Sequence, residues 1–108
     1  MADFKEMLGN LNKKIEAADP AKMKGVSAVY QFELTGDGGG VFHTAVDDGK
    51  ATVVESENDN PNITITMDAE DFNNMLEGKL NATSAFMAGK LKVKGDMSLA
   101  MKLQSLLG

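Results

Sequence analysis

A chain of 108 residues with 43% hydrophobic and 25% charged residues is long enough to close one core, and its proportions are those of a globular domain rather than a disordered segment. Its net charge of −5, with every basic group a lysine, argues against nucleic acid, whose phosphates and base edges are read by clustered lysine and arginine. With no cysteine there is neither a disulfide framework nor a thiolate ligand or nucleophile, and no apolar run approaches the roughly 20 residues that span a bilayer.

The N-terminus lacks a basic stretch followed by an apolar one, and the final Leu-Leu-Gly is not a peroxisomal address. A soluble cytoplasmic protein made of one domain, residues 1–108, is therefore expected. Asp3 with Glu6 forms a helix N-cap pair, and Phe4, Met7, Leu8, Leu11, Ile15 and Ala18 fall on one face of the helix that follows. Asp19-Pro20 stops it, and Lys22, Lys24 and Gly25 form a turn. Its polar face mixes lysine and glutamate, which fits core packing better than membrane anchoring.

From Val26 the period becomes two. Ala28, Tyr30, Phe32 and Leu34 alternate with Val29, Gln31, Glu33 and Thr35 as a half-buried strand. The glycine run Gly36 to Gly40, interrupted by Asp37, leads into a second strand through Phe42, Thr44 and Val46. Asp48-Gly49 then marks a two-residue hairpin to a third strand, Ala51 to Glu55. Beyond the polar stretch from Ser56 to Pro61, Ile63, Ile65 and Met67 alternate again, so four consecutive strands are expected to form an antiparallel meander. Asp68 caps a helix bearing Phe72, Met75 and Leu76, and Asn81 begins a shorter one bearing Ala85, Phe86 and Met87. Leu91 and Val93 between Lys90, Lys92 and Lys94 make a fifth strand, and Asp96 caps the last helix. The expected fold is α+β: a five-stranded mainly antiparallel sheet covered by helices.

The last helix is more apolar than a surface helix requires. Leu99, Ala100, Leu103, Leu106 and Leu107 occupy one arc about 120° wide, and Met97 and Met101 lie outside it. A second apolar face calls for protein, a partner chain or a ligand, and flexible thioethers suit a surface that must adapt. Catalytic signals are missing by comparison. His43 is the lone histidine, the glycine run opens a strand where a phosphate loop opens a helix, and no serine sits in a nucleophile elbow. The acidic segment from Glu55 to Asn60 lacks the glycine and the terminal glutamate of a calcium loop. Neither a catalytic set nor a metal or cofactor site is expected.

The run Ile63-Thr64-Ile65-Thr66-Met67, then Asp71-Phe72, Met75-Leu76 and Gly78-Lys79, then Ala85-Phe86 and Gly89-Lys90-Leu91-Lys92-Val93-Lys94-Gly95-Asp96-Met97, and finally Leu99-Ala100-Met101-Lys102-Leu103, resembles the sterol carrier protein 2 family. The resemblance implies a hydrophobic tunnel between sheet and helices. It also implies binding and transfer of a fatty acid, fatty acyl-CoA, phospholipid or sterol, with transient membrane contact and no enzymatic activity. Carried over by position, Phe72, Met75, Leu76, Phe86, Met87, Met97, Met101, Leu103 and Leu106 are the lipid-binding candidates. The alternative is an interaction module that closes the same apolar surface against a second copy, as a homodimer, or against a partner enzyme. Members of the family also occur fused to enzymes, whereas the expectation here is a stand-alone domain. The acidic balance weakens contact with anionic membranes unless Lys79, Lys90, Lys92 and Lys94 form a basic patch.

Overall fold

A computed structural model describes residues 4–17 and 24–107, with side chains through Lys102. The expected cap at Asp3, the stop at Asp19-Pro20 and the side chains of Leu103, Leu106 and Leu107 lie outside the described residues. The order of elements is α1 (Phe4–Ala17), β1 (Ser27–Thr35), β2 (Gly40–Asp47), β3 (Lys50–Val54), β4 (Ile63–Asp68), α2 (Ala69–Leu76), α3 (Ala82–Met87), β5 (Leu91–Gly95) and α4 (Met97–Leu107).

The five strands form one sheet in the order β3-β2-β1-β4-β5. β1 and β2 pair antiparallel, with Tyr30 opposite Thr44 and Phe32 opposite Phe42. The hairpin from β2 to β3 turns at Asp48 and Gly49, whose φ values of 49° and 91° are both positive, as a tight two-residue turn between twisted strands requires. β5 pairs antiparallel with β4 and forms the second edge of the sheet.

The expected four-strand meander is corrected at its last step. β4 does not pair with β3; it lies on the other side of β1 and runs parallel to it, with Phe32 opposite Ile65. Alternation fixes which face a residue takes but carries no information about the neighbouring strand. The register supplies the physical reason. β3 ends at Val54, which stands opposite His43, itself opposite Gln31. β4 begins one residue away, with Ile63 opposite Tyr30. Residues 55–62 therefore need only move sideways across β2 and β1. They are tied down as they cross: the Asn58 N–H donates to Gln31 Oε1 at 2.7 Å, and His43 Nδ1 meets the Ser56 carbonyl at 2.7 Å. A carbonyl can only accept, so Nδ1 carries the proton. This covered crossing explains why two polar strand side chains on the face away from the helices are buried.

The helices cover the opposite face. Phe32 and Phe42 stack with ring centroids 4.8 Å apart, and Phe72 of α2 lies tilted or edge-on against both, at 5.4 and 5.7 Å. α1 adds Met7, Leu8 and Leu11, all buried, and its Phe4 ring lies 6.1 Å from that of Phe42. At this end the core is filled by large rings. Toward β5 the lining side chains are smaller.

Candidate functional site

That change in side-chain size opens a cavity. Asn81 caps α3 by accepting the Ser84 N–H at 2.7 Å, and Ala85 is the buried anchor of this short helix. The chain leaves α3 through Gly89, at φ 76°, and enters β5, where Leu91 is buried and Val93 half-buried beneath the helices. α4 then begins at Asp96, whose carboxylate accepts the Ser98 backbone N–H at 2.9 Å and the Ser98 hydroxyl at 2.6 Å. The hydroxyl bond first, then the backbone bond, holds the Asp96 carboxyl below the usual range. An ionised cap suits the positive end of a helix.

α4 is fastened from below by the central strand. Tyr30 of β1 reaches through the core and donates its hydroxyl to the Leu99 carbonyl at 2.8 Å. Burial, with the Asp96 charge adding to it, pushes the Tyr30 pKa up to about 12, so the phenol stays a donor. Between α3, β5 and α4 lies a cleft of about 260 Å³, open to solvent and lined by Ala82, Thr83, Phe86, Leu91, Val93, Met97, Ala100 and Met101. Its walls are almost wholly apolar. Among the described lining residues Thr83 alone brings a side-chain hydroxyl and none is titratable, so recognition by them runs through apolar contact. A second, larger but shallower depression of about 500 Å³ lies between α1 and the end of α2, lined by Asn10, Lys13, Lys14, Ala17, Leu76 and Glu77, and mixes polar with apolar surface.

The sequence-derived candidates divide four ways. Phe86, Met97 and Met101 line the cleft. Met87 stands beside Phe86, is 81% exposed, and is not part of the lining. Phe72, Met75 and Leu76 are buried in the core away from this cleft, and Leu76 also borders the second depression. Leu103 and Leu106 have side chains outside the described residues. Five lining residues were not candidates: Ala82, Thr83, Leu91, Val93 and Ala100. The alternation that puts Leu91 and Val93 on the helix side was a usable signal for two of them. Ala82 and Ala100 make the space by being small, which a search for apolar bulk passes over.

An apolar cleft under an edge helix, on a five-stranded sheet covered on one face by helices, defines a lipid-binding α+β domain. The chain belongs to the SCP-2 sterol transfer family, whose profile matches residues 5–108. It is 42% identical to hydroxysteroid dehydrogenase-like protein 2 of Bos taurus over 86 residues, 79% of this chain and 21% of that protein. The chain thus spans about a fifth of the length of the curated relatives it matches. Among solved structures, palmitated SCP2L2 from Aedes aegypti is 26% identical, with a TM-score of 0.74 over 94% of this chain and 90% of that one. The apo form of sterol carrier protein 2 from Yarrowia lipolytica is 28% identical, with a TM-score of 0.62 over 96% and 85%. Family and fold together support a general role in lipid binding and transfer.

Proposed function

We propose that the cleft between α3, β5 and α4 receives the hydrocarbon chain of a fatty acid, or of a lipid that presents one such as an acyl-CoA or phospholipid, and that the protein carries this lipid without transforming it. The observation that carries the reading is the cleft itself. Its volume of about 260 Å³ is bounded, among the described residues, by side chains that are apolar except for one threonine hydroxyl. That volume stands just below the roughly 300–1,000 Å³ of ordinary ligand pockets, and the open mouth lets part of a longer chain lie outside it. The palmitated relative from Aedes aegypti supports the same ligand class. Against the interaction-module alternative, a surface that only closes against protein needs no open space beneath it.

Each methylene withdrawn from water contributes about 0.8 kcal/mol, set against association and ordering costs of several kcal/mol. A long chain overcomes those costs and a short one does not. Native mass spectrometry of the purified protein, followed by displacement of a fluorescent fatty acid, tests the proposal. Saturable one-to-one displacement by long-chain fatty acid is expected. A monomer that ignores fatty acid, acyl-CoA and phospholipid would overturn it.

A further inference from the structure

The chain has no cysteine, so all its sulfur is thioether, carried by eight methionines. Those with described side chains sort sharply by exposure. Met7, Met67 and Met75 are 1%, 3% and 4% exposed, against 49% for Met97, 81% for Met87 and 80% for Met101. Met97 and Met101 both line the cleft and stand one turn apart on α4, a spacing that puts them on the same face. Met87 is as open as Met101 but lies outside the lining. The fold thus presents a cleft pair of accessible thioethers and a matched one outside the cleft.

We propose that Met97 and Met101 form an oxidation site, at which a hydroperoxide converts both thioethers to sulfoxides and closes the cleft to hydrocarbon while the domain stays folded. The inference rests on the acyl-binding reading, because it assigns a control to that same cleft. Hydrogen peroxide balances the step by itself. A sulfur lone pair attacks one peroxide oxygen, the O–O bond breaks, and the departing hydroxide takes the proton left on the transferred oxygen. Sulfoxide and water result, with sulfur oxidised and peroxide reduced by the same two electrons. Reversal draws on two thiols of a methionine sulfoxide reductase, which become a disulfide as the oxygen leaves as water. This cysteine-free chain does not supply those thiols itself.

The consequence follows from where each sulfur sits. Without a ligand, a sulfoxide at Met97 or Met101 turns its oxygen to water, because both side chains are exposed, and folding stability changes little. With hydrocarbon seated against it, the same oxygen loses its water and needs a donor. Among the described lining residues the only side-chain donor is the Thr83 hydroxyl, and its one proton cannot serve two sulfoxide oxygens. Oxidation therefore penalises the loaded state and leaves the free one nearly alone. The core methionines behave oppositely. A sulfoxide at Met75 would disrupt packing, but its burial keeps peroxide away.

Treatment of the full chain with hydrogen peroxide tests this, read by peptide mass spectrometry and by displacement of a fluorescent fatty acid with palmitate. Met87, Met97 and Met101 are expected to gain oxygen before Met7, Met67 and Met75. Palmitate affinity falls by about tenfold or more while the circular dichroism spectrum is retained. Bound palmitate slows oxidation of Met97 and Met101 but not of Met87, and methionine sulfoxide reductases with a dithiol restore binding. Each variant is then compared with itself before and after treatment. Met97→Leu combined with Met101→Leu keeps apolar volume without either sulfur, so it holds whatever affinity it starts with. Met87→Leu loses affinity as the unsubstituted chain does. Unchanged affinity once Met97 and Met101 are oxidised would overturn the inference, as would an equal loss in the leucine pair or a collapse of the folded spectrum. An untreated chain that ignores palmitate would instead sink the acyl-binding reading, and this inference with it.

Discussion

The Tyr30 hydroxyl donates to the Leu99 carbonyl across 2.8 Å, joining the central strand of the sheet to the first turn of the helix that roofs the cleft. These residues are 69 positions apart in the chain, so the bond forms only once sheet and terminal helix are both in place. It couples the stability of the core to the shape of the site.

Tyr30→Phe removes the donor and leaves a partly buried carbonyl without it, at an expected cost of about 1–2 kcal/mol in urea unfolding. The same variant reads the pH dependence. Folding raises the Tyr30 pKa from 10.0 to about 12, so the folded state holds its proton where the unfolded state loses it. The advantage of the unsubstituted chain over the phenylalanine variant is therefore full below pH 10 and declines as pH rises through that window to about 12. Comparing both proteins cancels the lysines that titrate in the same range.

Phe72 and Phe86 were equivalent candidates by sequence and should behave oppositely. Phe72→Ala excavates the ring cluster of the core and is expected to cost about 3–5 kcal/mol. Phe86, 46% exposed, should cost less than about 1 kcal/mol on truncation while weakening fatty-acid binding. Paired denaturation and displacement curves on the two variants check this.

Met97→Glu should leave the fold intact and abolish acyl binding. Met97 is 49% exposed and begins α4, where a negative charge is tolerated or favoured. A bound hydrocarbon chain would bury that carboxylate without a partner, which costs several kcal/mol. Unchanged displacement by this folded variant would remove Met97 from the site.

Affinity should rise with chain length and then level off. Within the cleft each added methylene is worth about 0.8 kcal/mol, roughly fourfold in affinity, until the chain emerges into water. Displacement by a series of saturated fatty acids locates the plateau.

Much of this structure was legible in the residues because periodicity reports faces directly. Leu91 and Val93 between lysines announced an edge strand with one buried side, and Asp48-Gly49 announced the hairpin from β2 to β3. The placement of β4 was not legible, since Ile63, Ile65 and Met67 alternate in the same way beside β3 or beside β1. What decides it is the crossing of residues 55–62, held by Gln31 and His43, and no local pattern encodes that reach. The cleft was half legible. Met97 and Met101 stood out as surplus apolar surface, whereas Ala82 and Ala100 shape the cavity through volume they lack. Phe72, Met75 and Leu76 look like Phe86 in composition; ring packing against Phe32 and Phe42 assigns Phe72 to the core, and burial assigns Met75 and Leu76.

The most direct test of an acyl chain in this cleft is methyl NMR of the eight methionines during titration with palmitate. The ε-methyl signals of Met97 and Met101 should shift and saturate at one equivalent, while those of buried Met7, Met67 and Met75 hold nearly still. Shifts confined to the core methionines, or none at all, would contradict the assignment of the site.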